Sequence, residues 1–225
     1  MGTLLQFYTS SVGKKLTVGL TGLFLCSFLT VHLGINLFLF AGDGGESYNF
    51  YAEFMATNPL IKILEIVLVG GFLLHITTTV ILWFKNRAAR PERYVMYDAA
   101  ASSELSSRIT FITGSVIFIF LIIHLRTFWF GSRFENGEGQ TMYQLVMHAF
   151  SSPLYDCFYI AAFVLLGYHL RHGFQSAFQT FGINNSKYTR LISLVAAIFW
   201  LIVPILFAAI PLYFLRMHYM TGGIV

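Results

Sequence analysis

Residues 154–181 read LYDCFYIAAFVLLGYHLRHGFQSAFQTF. As one helix this stretch is long and apolar enough to cross a hydrocarbon layer roughly 30 Å thick. Yet it contains His169, with Arg171 and His172 just beyond. An ionisable group inside a span is costly and asks for a functional reason. Four further apolar stretches lie around it, so the chain is expected to cross the bilayer over about 15–40, 60–84, 108–131, 154–181 and 190–216. Of the 225 residues 56% are hydrophobic and 11% charged, which excludes a soluble domain of ordinary composition. Several apolar runs reach or exceed the roughly 20 residues a span needs, which excludes buried core helices of a soluble protein. The connecting segments are short. The expected fold is therefore all-α, a five-helix transmembrane bundle forming a single domain over 1–225.

Charge sets the expected orientation. Lys14 and Lys15 precede span one; Lys85, Arg87, Arg90, Arg93 and Arg108 lie between spans two and three; Lys187 and Arg190 lie between spans four and five. The opposite segments carry Asp43, Glu46 and Glu53, and then Glu135 and Glu138 against Arg133. Basic loops mark the cytoplasmic side, so the N terminus is expected inside and the C terminus, with Arg216 and His218, outside. These basic residues belong to membrane topology rather than to a nucleic-acid site. No cleavable signal peptide is expected, because the first apolar run is too long and no small-residue cleavage site follows it. The only cysteines, Cys26 and Cys157, fall inside expected spans and are read as small buried hydrophobes.

The connections carry turn and cap signals. Gly42, Gly44 and Gly45 open the first outer loop and Asn58-Pro59 closes it; Arg90-Pro91 breaks the inner loop, and Ser102 to Ser107 offers caps for span three. Residues 141–150, TMYQLVMHAF, predict a short surface helix on the outer face, and His148 on it is read as structural. Span five has Pro204 and Pro211 and no histidine in its core; its expected role is packing.

A two-helix unit occurs twice. Thr21-Gly22 is followed by nine residues and then His32, and Thr113-Gly114 by nine residues and then His124. Pro59 precedes His75 by 16 positions, as Pro153 precedes His169. Internal repeats in membrane proteins commonly place a site where the repeats meet. His32 lies 17 residues past Lys15, about 26 Å along a helix. The other three histidines lie 16 residues past Pro59, Arg108 and Pro153, about 24 Å. Each is thus beyond the midplane from the side where its span starts, and neighbouring spans run in opposite directions. His32 and His124 are expected to pair toward the outside, His75 and His169 toward the cytoplasm.

Two separated imidazole pairs suit two haem irons, each with two axial histidines. Zinc would need three or four converging ligands. A proton relay would interleave carboxylates with the histidines, and apart from Asp156 at the very start of span four, Glu65 is the one carboxylate within a span. Gly71 and Gly173 share faces with His75 and His169, and Gly22, Gly34, Gly114 and Gly167 could clear space for a macrocycle or serve helix packing. Arg171 and His172 could meet the propionates of an inner haem and Arg126 those of an outer one, or the arginines could snorkel to the headgroups. His172 competes with His169 as ligand; repeat and depth favour His169. Glu65, with Lys62 one turn before it, is the candidate for a quinone site near the outer face, against a simple Glu65–Lys62 salt bridge.

Three stretches carry a family resemblance: SSVGKKLTVGLTGLFLCSFLTVHLGIN at the start, the TG-x9-H of span three, and YHLRHGFQSAF in span four. Across essentially its whole length the chain resembles the five-helix dihaem cytochrome b subunits of bacterial succinate dehydrogenases and fumarate reductases. In that family the last ligand stands four residues before a glycine, here His169 before Gly173. The resemblance implies haem ligands His32, His75, His124 and His169, with the pairing that depth also suggests. It implies a multi-pass subunit of a bacterial cytoplasmic membrane that anchors an FAD flavoprotein and an iron–sulfur subunit on its cytoplasmic face and exchanges electrons with a quinone, expected to be menaquinone. FAD and the iron–sulfur clusters would belong to those partners, and this chain would hold no dicarboxylate site. The basic segment 85–108 is the expected dock. Some fumarate reductases of this type carry a glutamate just before the last ligand's turn for transmembrane proton movement; Leu166, Gly167 and Tyr168 stand there instead. The alternatives are a dihaem cytochrome of a hydrogenase or formate dehydrogenase, and a non-redox anchor or transporter.

Overall fold

A computed structural model describes residues 2–89, 109–135, 139–183 and 188–220. Arg90-Pro91, Arg93, Ser102 to Ser107, Arg108, Glu138 and Lys187 lie outside the described residues. Among the described residues every secondary-structure element is a helix. Five helices are long and apolar enough to cross a membrane: Ser11–Phe40, Pro59–Ala88, Thr110–Glu135, Pro153–Thr180 and Thr189–Met220. These match the five expected spans to within a few residues at each end.

Span one begins where Ser10 accepts a hydrogen bond from Gly13 N at 2.9 Å, satisfying one of the free donors of the first turn. A side chain at Gly13 would meet the Phe7 carbonyl, its Cβ falling 1.9 Å from that oxygen. Lys14 does not extend toward water. It folds back, 5% exposed, and donates to the Tyr8 carbonyl at 3.2 Å and to the Thr9 carbonyl, both at the negative end of helix Gly2–Thr9.

Span four is the hub. It packs against spans one, three and five, while span two rests on span one. Span five meets it along Val203, Phe207, Ile210 and Phe214, all buried and spaced at one helical face. The prolines have a packing role here. Pro204 has no N–H to offer the Trp200 carbonyl one turn earlier, and the helix widens to π form over Ile198–Ile202. Gly167 of span four receives that carbonyl: a Cβ there would lie 2.8 Å from Trp200 O. Gly167 thus admits span five to the bundle, rather than making room for a macrocycle.

The connections between spans one and two and between spans three and four hold more structure than their loop signals suggest. Glu46–Thr57 is a helix, and Asn58 caps span two by accepting from Leu60 N at 2.9 Å. The expected surface helix is present as Met142–Ala149, opened by a capping box in which Thr141 and Gln144 bond reciprocally. These two connecting helices dock through Tyr143 N, which donates to Asn49 Oδ1 at 2.9 Å. Gly45 is required at that junction: its φ is +90°, and a Cβ would sit 2.2 Å from Tyr143 Cγ. Both cysteines are free; Cys26 is buried, but Cys157 is exposed, correcting the expectation that both are buried.

Candidate functional site

The bundle brings the four span histidines into two pairs. The rings of His32 and His124 lie 5.8 Å apart between centroids at 88°. Those of His75 and His169 lie 6.5 Å apart at 72°. It is His169, not His172, whose ring faces His75. Among the described residues no three His, Cys, Asp or Glu side chains converge on one point, so the donors are arranged two by two. A metal held between two imidazoles requires centroids about 6 Å apart, from two metal–nitrogen bonds of roughly 2 Å and two ring radii of roughly 1 Å. Both pairs meet that spacing. All four rings are only half-buried, so each is accessible to a group between the helices.

The ring orientation fits as well. A ligating histidine ordinarily donates its second N–H to a fixed acceptor, which holds the tautomer. In the inner pair, Thr21 Oγ1 lies 3.1 Å from His75 Nδ1 and Thr113 Oγ1 lies 3.4 Å from His169 Nδ1. Gly22 and Gly114 lie against the same rings; a Cβ on either would be 3.3 Å from the histidine Cε1. In the outer pair, Tyr159 Oη lies 3.2 Å from His124 Nδ1. His32 is held by stacking on Phe28 at 5.4 Å and by Phe207 at 5.8 Å. With Nδ1 engaged in three of the four rings, Nε2 is the atom left for a metal. These residues fit two bis-imidazole haem sites.

The Thr-Gly pairs change meaning in this geometry. They are repeat markers in the sequence, one per odd-numbered span. In space each Thr-Gly cradles the histidine of the adjacent even-numbered span. Tyr159, Tyr155 and Thr127 carry no signal of their own in the sequence, although Tyr155 and Tyr159 stand one helical turn apart on the histidine-bearing span.

The polar residues divide. Glu65 receives Arg133 in two-pronged fashion, at 2.7 Å to Oε1 and 2.9 Å to Oε2, and Trp129 Nε1 also donates to Oε1. The partner of Glu65 is therefore Arg133 rather than Lys62. The π-form stretch Leu125–Glu135 presents Trp129 and Arg133 together, with the guanidinium 4.5 Å above the indole. Arg126 is held by Glu135 through two contacts of 2.6 Å and lies 4.8 Å over the Phe130 ring, so its charge is already countered. Arg171 stands 5.4 Å from the Trp200 ring. His148 lies away from both pairs, in an open cleft of about 290 Å³ with Thr127, Leu145, Ser151, Ser152 and Tyr155. Gly71 packs on Phe24, its Cβ position 2.9 Å from Cε1, while Gly34 and Gly173 face open space.

No protein-family model, curated protein or solved structure matches the chain.

Proposed function

We propose that this chain is the membrane-anchor cytochrome b subunit of a succinate:quinone or quinol:fumarate oxidoreductase. The observation that supports it is the arrangement of four span histidines as two facing pairs, at the spacing a bis-imidazole metal needs. Haem b bound at each pair supplies one-electron redox chemistry between a cytoplasmic iron–sulfur subunit and a quinone, menaquinone being the expected one. His75 and His169 would hold the inner group, and Arg171 and His172, on the cytoplasmic side of His169, would meet its propionates. His32 and His124 would hold the outer group. The rings of Phe28, Phe207, Phe120 and Phe128 flank the outer pair and make its surroundings apolar.

Glu65 is the proposed proton-exchanging group at a quinone site near the outer face. Arg133 and Trp129 hold its carboxylate in place, as a quinone hydroxyl would require of a fixed acceptor. The N terminus is proposed to be cytoplasmic, in a bacterial inner membrane. The FAD flavoprotein and the iron–sulfur subunit would dock at the basic end of the bundle, where Lys85 and Arg87 end span two.

A reduced-minus-oxidised absorption spectrum of the purified chain tests this reading. Two low-spin b-type haems per chain are expected, with one lost when His75 or His169 is replaced and the other when His32 or His124 is replaced. A colourless preparation overturns the proposal in favour of a non-redox anchor. Soluble partners bound to the outer face, rather than the cytoplasmic one, overturn it in favour of a hydrogenase-type or formate dehydrogenase-type cytochrome.

A further inference from the structure

The two histidine pairs are supported in different ways. At the inner pair the supporting hydroxyls are spent locally. Thr21 Oγ1 donates to the Thr17 carbonyl at 2.7 Å, and Thr113 Oγ1 donates to the Thr110 carbonyl at 3.0 Å. Each contact ends on its own helix backbone. At the outer pair the contact continues. Tyr159 Oη, 3.2 Å from His124 Nδ1, lies 3.0 Å from Tyr155 Oη, and Tyr155 donates to Thr127 Oγ1 at 3.0 Å. Three hydroxyls from two spans form one line that begins on a histidine.

Resting on the reading proposed above, we propose that Tyr159, backed by Tyr155 and Thr127, is the positioning group of His124 and sets the outer haem apart from the inner one. Ligation through Nε2 leaves the proton on His124 Nδ1, so this N–H donates to Tyr159 Oη. The Tyr159 proton then points to Tyr155, and the Tyr155 proton to Thr127. This is the sense in which Tyr155 donates to Thr127. Hydrogen bonds aligned head to tail polarise one another, so the line draws on the imidazole N–H and makes the ring a stronger donor to the iron. A stronger donor favours the oxidised metal.

Packing keeps the line from drifting. Tyr159 is 2% exposed. Its ring is gripped edge-on by Phe120 at 4.8 Å and by Phe150 at 5.1 Å. The far end of the line is different: Tyr155 and Thr127 form part of the wall of the open cleft that also holds His148. The inner pair has no such connection among the described residues. The support of the outer histidine thus extends to a surface that outside molecules reach, whereas that of the inner pair is sealed within helix backbone.

The test uses the full chain in detergent, with redox titration of both haems and their low-spin EPR signals, whose anisotropy follows the angle between the two imidazole planes. Y159F keeps the ring and removes the hydroxyl. It is expected to shift the outer EPR signal and raise the outer potential, with the inner signal and potential unmoved. Y155F touches neither histidine and is expected to give a smaller shift of the same sign. It also keeps the test decisive if Y159F fails to assemble. Two haems in wild type with neither variant altering the outer signal or potential overturn this inference and leave the function intact. A wild-type protein without two low-spin haems overturns the function, and this inference with it.

Discussion

Thr21 of span one and His75 of span two meet at 3.1 Å between Oγ1 and Nδ1, and Thr113 of span three meets His169 of span four in the same way at 3.4 Å. Under the proposed function the internal repeat is therefore a repeated half-site of the inner haem, in which an odd-numbered span supplies the support and an even-numbered span the ligand. T21V keeps the shape and removes the hydroxyl acceptor. Loss of an outer-shell partner of this kind costs about 10- to 100-fold in metal-site affinity. The expected outcome is one haem retained per chain instead of two, the outer one, as measured by pyridine haemochrome assay after dilution. T113V is expected to act on the same haem, and equal loss of both haems would contradict the half-site arrangement.

Gly167 and Trp200 make a second close contact, this one purely structural. A methyl group at Gly167 would fall 2.8 Å from the Trp200 carbonyl oxygen. That atom is backbone and cannot swing aside. G167A must therefore push span five outward, at a cost of about 1–3 kcal/mol as in other overpacked interiors. A lower midpoint in thermal unfolding of the detergent-solubilised protein checks this. The pairing of His75 with His169 is built on spans one to four, so the inner haem spectrum is expected to stay unchanged.

The existence of the five spans and the pairing of the histidines are both legible in the sequence, because apolar length and helical rise translate directly into depth. Lateral neighbours are not legible that way. Thr21 stands eleven residues from His32 on its own span, about 16 Å away along the helix, and nothing in the spacing says that it meets His75. Glu65 presents the same limit. One turn of helix points it to Lys62, whereas the π-form stretch after His124 delivers Arg133 from another span. Such widened turns have no period that apolar patterning can reveal. The helix Glu46–Thr57 was hidden for a related reason: its start is set by loop glycines at positive φ and by Asp43, not by an apolar run.

Asp43 makes the cap of helix Glu46–Thr57 responsive to acid. Its carboxylate accepts from Ser47 N at 2.9 Å and from Gly45 N at 3.0 Å. The Ser47 side chain and then these backbone N–H groups hold its pKa below the ordinary carboxylate value. A depressed folded pKa contributes stability that is fully present above the unfolded pKa and is lost as pH falls through the folded one. The start of helix Glu46–Thr57 is therefore expected to loosen only below the ordinary carboxylate range. Amide hydrogen exchange in residues 46–50, followed as pH is lowered, checks the sign. In D43N the exchange rates, corrected for intrinsic chemistry, are expected to be faster at neutral pH and to lose this acid dependence.

Glu65 offers the sharpest separation of fold from chemistry. E65Q keeps the volume and an oxygen for Trp129, but it removes the charge that Arg133 meets with two contacts. The pair is about a quarter exposed on each side, so its loss costs the fold about 1 kcal/mol or less. Both haems are expected to remain. Under the proposed function, a carboxylate at that position exchanges the proton that a quinone needs, and proton transfer by a positioned side chain contributes about 100- to 10,000-fold. Quinone turnover of the assembled complex is therefore expected to fall by about two orders of magnitude or more, while reduction of the haems by a small dye proceeds at the wild-type rate. Arg133→Gln separates the two roles of the ion pair. It frees the carboxylate without removing it, so turnover is expected to drop far less than in E65Q. Wild-type quinone turnover in E65Q, with normal haem spectra, would remove Glu65 from the site.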